Sequence, residues 1–235
     1  GGLVFGQVTV AGGVITARTR LWSSPFAGVA NAKILGARGD GVTDDTTVLQ
    51  SILTTAIPAG SPSAAALYAL YLPAGNYLTS STLNVPPGIK IFGDGRNTTR
   101  ITFSGTGPAL HRVSTAARSY YNVFEDFDIS LTNLTSTGIQ LENAIRATIN
   151  RVSINGISSA TNTNRGVRIL TSSADSFFNL IQDVETNHIL IGFEVNSLSG
   201  TVQPTQQTFI NCTHFGDFAA YGTASRGFYF GAGVS

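Results

Sequence analysis

Only 13 of the 235 residues are acidic, so the positions that acids share are informative. Four eight-residue blocks align: 122–129 (NVFEDFDI), 147–154 (ATINRVSI), 179–186 (NLIQDVET) and 208–215 (TFINCTHF), with starts 25, 32 and 29 residues apart. Their seventh position carries Asp128, Ser153, Glu185 and His214; their fifth carries Asp126, Arg151, Asp183 and Cys212. If successive blocks lie side by side as strands, Asp128 and Glu185 stand two strands apart, about 9.6 Å at the backbone. That is near the top of the roughly 6.5–9.5 Å range in which one carboxyl protonates a glycosidic oxygen while the other activates water. Asp126 and Asp183 have the same relation. Glu185 beside His214 offers other chemistry, an acid/base pair able to take the proton next to a sugar-acid carboxylate. The plain alternative for each pair is a solvated face with scattered acids.

A second motif follows each block: Gly138-Ile139-Gln140-Leu141, Gly166-Val167-Arg168-Ile169, Gly192-Phe193-Glu194-Val195 and Gly227-Phe228-Tyr229-Phe230. Strand alternation turns Ile139, Val167, Phe193 and Phe228 inward and leaves Gln140, Arg168, Glu194 and Tyr229 as an outward ladder. Gln140 and Arg168 can hydrogen-bond hydroxyls or carboxylates, and Tyr229 can stack on a sugar face. The candidates for catalysis are therefore Asp128, Glu185, Asp183 and Glu194. Those for substrate contact are Gln140, Arg168, Tyr229 and His214. Arg168 beside Glu194 also has a plain reading, a cross-strand ion pair worth a few tenths of a kcal/mol.

The elements that must hold these residues follow from the repeat. Two strand motifs per unit, recurring every 25 to 32 residues, predict a solenoid. The Leu-x-x-Leu-x-Leu spacing of a leucine-rich repeat and the four strands per unit of a propeller are both missing. Within the blocks the third and sixth positions are mostly large and apolar, with Thr213 departing. Phe124, Ile149, Ile181 and Ile210 are thus expected in one buried row. Earlier turns are legible at 70–73, 89–92 and 100–103, which makes six or seven coils.

The segment 31–103 begins NAKILGARGDGVTDDTTVLQSILTTA and continues LYLPAGNYLTSSTLNVPPGIKIFGDGRNTTRITF. It reads as a short strand, a Gly-Asp-Gly turn, one amphipathic helix and then strands broken by Gly and Pro. Thr43 is the expected N-cap, with Asp44 and Asp45 in the first turn against the helix dipole. Val48, Leu49, Ile52, Leu53 and Ala56 form one apolar stripe, and Pro58, Gly60 and Pro62 end the helix. One helix before many strands is expected to be a lid over the first coil. Residues 36–46 (GARGDGVTDDT), 72–77 (LPAGNY) and 92–95 (FGDG) resemble the head of a pectate-lyase superfamily chain, as in phage tailspikes and polysaccharide depolymerases. The resemblance covers about a third of the chain. It implies an all-β fold, a single-stranded right-handed parallel β-helix (pectin-lyase-like) with one N-terminal capping α-helix.

Composition narrows the remaining classes. Charged residues make up 11%, hydrophobic residues 42%, and net charge is +1. Disorder needs the opposite balance, and such a charge gives no electrostatic case for nucleic acid or an anionic membrane. No apolar run approaches the roughly 20 residues of a spanning helix. Cys212 is the only cysteine, so there is no internal disulfide. No metal, nucleotide or serine-hydrolase motif is present, and neither cofactor nor metal is implied. His111 and His188 stand singly, and Trp22 is expected to pack within its own segment. Residues 1–30 form a separate unit, with 7–10 and 14–18 reading as a β-hairpin. Residues 31–235 are the β-helix, expected to continue beyond Ser235 in a longer protein.

The resemblance further implies a homotrimer, a virion tail appendage with an upstream particle-attachment region, and host cell-surface polysaccharide as partner. The activity it implies is hydrolysis or lyase cleavage of that polymer. A non-enzymatic adhesin or tail-fibre module on the same fold and a secreted bacterial polysaccharide-degrading enzyme remain as alternatives.

Overall fold

The Gly-led motifs form the most regular wall. Strands Leu83–Asn84, Gly107–Arg112, Ser136–Glu142, Arg165–Thr171, Ile191–Ser197 and Arg226–Phe230 pair in that order into a parallel six-stranded sheet. Leu110, Ile139, Val167, Phe193 and Phe228 share one row in register, as the alternation predicts. Gly166 precedes the row because a Cβ there would meet the Gly192 carbonyl oxygen at 2.4 Å and Thr186 at 2.5 Å. The chain is a computed structural model describing residues 7–11, 14–19, 28–55, 68–112, 119–199, 202–216 and 225–231.

The eight-residue blocks form a second, bent wall. Val123–Leu131 and Thr148–Asn155 run through its bend, and Leu180–Gln182 with Glu185–Asn187 and Thr208–Ile210 with Thr213–Phe215 continue it. A third wall is four two-residue strands, Ser119–Tyr120, Ala144–Ile145, Ser176–Phe177 and Pro204–Thr205. Pairing within all three walls is parallel, so each coil adds one rung to each wall. The architecture is the expected right-handed parallel β-solenoid with one short N-terminal helix. Ahead of it Gln7–Ala11 and Val14–Thr19 pair antiparallel, as the hairpin reading required.

The bend is made by residues in left-handed backbone conformation. Asp126, Arg151, Asp183 and Asn211 have φ of 64°, 51°, 51° and 49° on successive rungs. That row corrects the register of the last block by one residue. Leu180 pairs with Thr208 and Glu185 with Thr213, so the block begins at Gln207, and the corner residue is Asn211 rather than Cys212. Asn tolerates positive φ; a Cys there would be strained. Cys212 instead packs on the core, in the apolar position where Thr213 had looked anomalous. Phe209, not Ile210, continues the row of Phe124, Ile149 and Ile181, and Ile210 is 47% exposed.

The helix is Thr46–Thr55, so Thr43, Asp44 and Asp45 all precede it. The expected cap was two residues early because both aspartates serve the approach to the helix. The Asp45 carbonyl accepts the first helical bond, from Leu49 N–H. The Asp45 carboxylate accepts from the N–H groups of Arg38 and Gly39, and Asp44 accepts from Thr46 N–H. Leu49, Ile52 and Leu53 are buried. Gln50 holds both backbone groups of Asn84, donating to its carbonyl and accepting from its N–H. The helix thereby covers the free edge of strand Leu83–Asn84, the lid role expected of it. Ala56, Pro58, Gly60, Pro62 and Trp22 lie outside the described residues.

Replacing Ile181 with Asp puts an unpaired charge into the buried row and is expected to cost about 4 kcal/mol or more. Ile210→Asp, one position from the corresponding row, is expected to change stability by less than about 0.5 kcal/mol. Denaturant unfolding of both variants measures the register.

Candidate functional site

Asp128 and Glu185 fall where their spacing placed them. The row beside the bend runs Asn76, Arg100, Asp128, Ser153, Glu185, Thr213 in register, so the two carboxylates are two rungs apart. Asp128 is only 2% exposed. Its Oδ2 accepts the N–H of Asn97 at 2.7 Å and lies 3.7 Å from Arg100 Nη2. Its Oδ1 is buried without a hydrogen-bond partner. Burial raises its pKa, outweighing the Asn97 hydrogen bond and the Arg100 and Arg96 charges. Glu185 is more open: Asn187 Nδ2 donates to Oε1 at 2.7 Å, and Arg96 Nη1 approaches Oε2 at 3.7 Å. One carboxyl thus favours its proton while the other sits in a polar, cationic setting.

The segment joining strands Ile89–Gly93 and Thr99–Phe103 supplies what the sequence reading missed. Asp94 anchors it by accepting from Tyr71 Oη at 2.6 Å and Ala74 N–H at 2.7 Å. From there Asn97 covers Asp128 and Arg96 reaches Glu185, three rungs beyond Arg100. The FGDG signature marked this place, but as a sign of fold; Arg96 and Asn97 directly follow it.

The other two candidates near Glu185 separate from it. Asp183 stands at the exposed bend, where the Asn211 amide at 2.5 Å and Gln182 hold its carboxyl below its ordinary pKa. His214 pairs with Thr186, not Glu185. It belongs to the inward row of Ile101, Ile129 and Ile154, with Nδ1 2.9 Å from Thr186 Oγ1 and Nε2 3.0 Å from Ser225 Oγ. Desolvation there lowers its pKa. The one-residue register shift dissolves the expected Glu185–His214 pair.

The outward ladder of the six-stranded wall keeps its predicted order and gains a member, His111, Gln140, Arg168, Glu194, Tyr229. His111, read as solitary, lies 3.0 Å from Gln140 Nε2 and 3.1 Å from Glu142 Oε2, and burial lowers its pKa. Glu194 is outward-facing yet 2% exposed, because Arg165 Nε at 2.5 Å and Arg168 Nε at 3.0 Å close over it. Arg226 stacks 5.3 Å from the Tyr229 ring centroid. Arg165, Arg168, Glu194, Asn196, Arg226 and Tyr229 line a depression of about 460 Å³. Three guanidiniums against one carboxylate make it an anion-accepting surface. Among the described residues no group of three or more His, Cys, Asp or Glu side chains could hold a metal ion.

A stacked parallel solenoid with polar outward ladders is the class of protein seen here, a pectate-lyase-like β-helix. Residues 29–228 match the family described as "Rhamnogalacturonase A/epimerase, pectate lyase-like", and the chain belongs to it. A stretch of 65 residues, 28% of this chain and 5% of the other, is 43% identical to the non-secreted LysM effector LysM19 of Penicillium expansum. Among solved structures, Geobacillus virus E2 ORF18 superposes with a TM-score of 0.63 at 16% identity, over 89% of this chain and 49% of that one. The A-module of mannuronan C-5 epimerase AlgE6 from Azotobacter vinelandii gives 0.56 at 17% identity, over 84% and 57%. Both likenesses are of fold, and the chain spans about half of each structure. Among the described residues no helix is long and apolar enough to cross a membrane.

The raised pKa of Asp128 has a measurable consequence. The folded state holds this proton to higher pH than the unfolded chain does. The stability contribution is therefore fully present below the ordinary carboxyl pKa of 3.8 and is lost as pH rises through the folded value. Asp128→Asn cannot lose that proton. It is expected to unfold at a higher temperature than the parent at pH 7 and at the same temperature near pH 3, by calorimetry at both pH values.

Proposed function

We propose that the protein cleaves a polysaccharide by inverting hydrolysis, with Asp128 as general acid and Glu185 as general base. The observation that carries this reading is a buried, proton-retaining carboxyl two rungs from an open carboxylate on one ladder. Burial raises the pKa of Asp128, which favours the protonated form that donates to a leaving-group oxygen. Glu185, held by Asn187 and Arg96, is placed to polarise water on the far side of the sugar ring. Two strand spacings, about 9.6 Å at the backbone, leave room for that water. Asn97 covers Asp128, so substrate entry requires the 94–98 segment to lift, and Arg96 would then follow the polymer. The setting proposed is that of a tailspike: a homotrimeric, extracellular virion appendage acting on host surface polysaccharide. The opening residues 36–46, 72–77 and 92–95 support this setting.

A second reading, an adhesin that binds polysaccharide without cutting it, is favoured by the arginine-lined depression beside Tyr229. It presents cation, hydrogen-bond donors and an aromatic face together, the combination that retains a sugar acid.

Glu185→Gln keeps shape and removes the ionisable group. Turnover of a cognate capsular or O-antigen polysaccharide, measured as new reducing ends, is expected to fall at least a hundredfold with binding retained. Undiminished turnover in that variant would remove Glu185 from the mechanism. Binding with no turnover by the parent protein across such polysaccharides would favour the adhesin.

A further inference from the structure

A second row of left-handed residues lies where the short third wall turns into the bent wall. Tyr121, Arg146, Phe178 and Gln206 occupy successive rungs with φ of 63°, 54°, 57° and 53°. Each rung is tied to the next by backbone bonds, Tyr121 N–H to Ile145, Arg146 N–H to Phe177 and Phe178 N–H to Gln206. Bulky aromatics are poor residues for positive φ, which Gly or Asn adopts at far less cost. Folding alone therefore gives no reason for Tyr and Phe here. Their side chains also stay outside: Tyr121 is 37% and Phe178 46% exposed.

The three side chains form one ordered stack. Arg146 lies between the rings, its guanidinium 5.9 Å from the Tyr121 centroid and 5.7 Å from that of Phe178, and Nη1 donates to Tyr121 Oη at 2.9 Å. Phe177 braces Phe178 edge-on at 5.2 Å. Past Phe178 the surface sinks into a depression of about 460 Å³ lined by Asp175, Phe177, Phe178, Gln203, Thr205 and Gln206. It combines an exposed aromatic face with amide, hydroxyl and carboxylate groups. Its single charged lining residue is Asp175, which also accepts the N–H of Gln203 at 3.1 Å.

We propose that this corner is a binding subsite for an uncharged pyranose unit, with Phe178 as the stacking platform and Asp175, Gln203 and Gln206 meeting its hydroxyls. An apolar sugar face suits the ring. The carboxylate and amides suit hydroxyl groups, and Asp175 offsets the Arg146 charge on the far side of Phe178, so a sugar acid gains no net attraction. That balance differs from the arginine-lined depression on the six-stranded wall. The subsite does not depend on the Asp128–Glu185 reading, because it binds without cleaving.

The test uses Phe178→Gly and Phe178→Asn, both at ease at this φ, so neither should lower the unfolding temperature. The probes are maltohexaose, cellohexaose and chitohexaose, with hexagalacturonate as the charged control, titrated by calorimetry and NMR shift perturbation. At least one neutral hexasaccharide is expected to bind the parent, and both variants to bind it at least tenfold more weakly. No binding of any neutral probe, undiminished binding in the variants, or Phe178-dependent binding of hexagalacturonate alone would overturn the proposal. A change in solution mass of either variant would overturn it in favour of a contact between copies of the chain. Both readouts are independent of turnover, so failure of the hydrolase reading leaves the outcome interpretable.

Discussion

Every surface feature of this solenoid depends on rung-to-rung registration, and the positive-φ corners set that registration. Asp126, Arg151, Asp183 and Asn211 at one bend, with Tyr121, Arg146, Phe178 and Gln206 at the other, fix where each strand starts. Parallel pairing then repeats each position about every 4.8 Å. A slip of one residue exchanges interior for exterior along a whole strand. The interior resists this, since Phe124, Ile149 and Ile181 on one row and Ile139, Val167 and Phe193 on another are fully buried. The outward ladders inherit their order from those buried rows. Asp128 shares a row with Glu185 only because Phe127 and Val184 are both held inside.

How far the sequence reveals this depends on how distinctive each position is. The Gly-led motif was readable in register, because a Gly that admits no Cβ precedes clean alternation in three of its four copies; Gly227 has room for a Cβ, and Phe228, expected in the buried row, is 43% exposed on the last rung. Three of the four blocks were readable for a similar reason. The last slipped by one because its corner has no residue-type signature: Asp, Arg, Asp and Asn share a backbone conformation and nothing else. Cys212, which the alignment sets beside Asp126, Arg151 and Asp183, fills an apolar position instead. The helix was found but its cap misplaced, since aspartates that bind loop N–H groups look the same in sequence as aspartates in a first turn.

Site geometry was less legible than fold, for reasons of reach. Arg96 acts on a rung three away from its own coil, and Arg165 buries Glu194 from a neighbouring position; ladder alignment predicts neither. The protonation bias of Asp128 comes from burial under Asn97, which only the path of the 94–98 segment reveals. Low overall charge, 11% of residues, is spent locally on three faces of different character. One has a carboxyl pair under arginine, one a guanidinium-lined anion surface, and one an aromatic corner with one arginine and one acid.

Rung spacing bears on the chemistry: backbones two rungs, about 9.6 Å, apart suit the wider carboxyl separation of inversion rather than the roughly 5–5.5 Å of retention. Proton NMR of the first turnover products, recorded before mutarotation, reads the new reducing end directly. The account predicts the anomer opposite to that of the cleaved linkage. The original anomer, or an unsaturated product absorbing near 235 nm in place of a hydrolysed one, would contradict it.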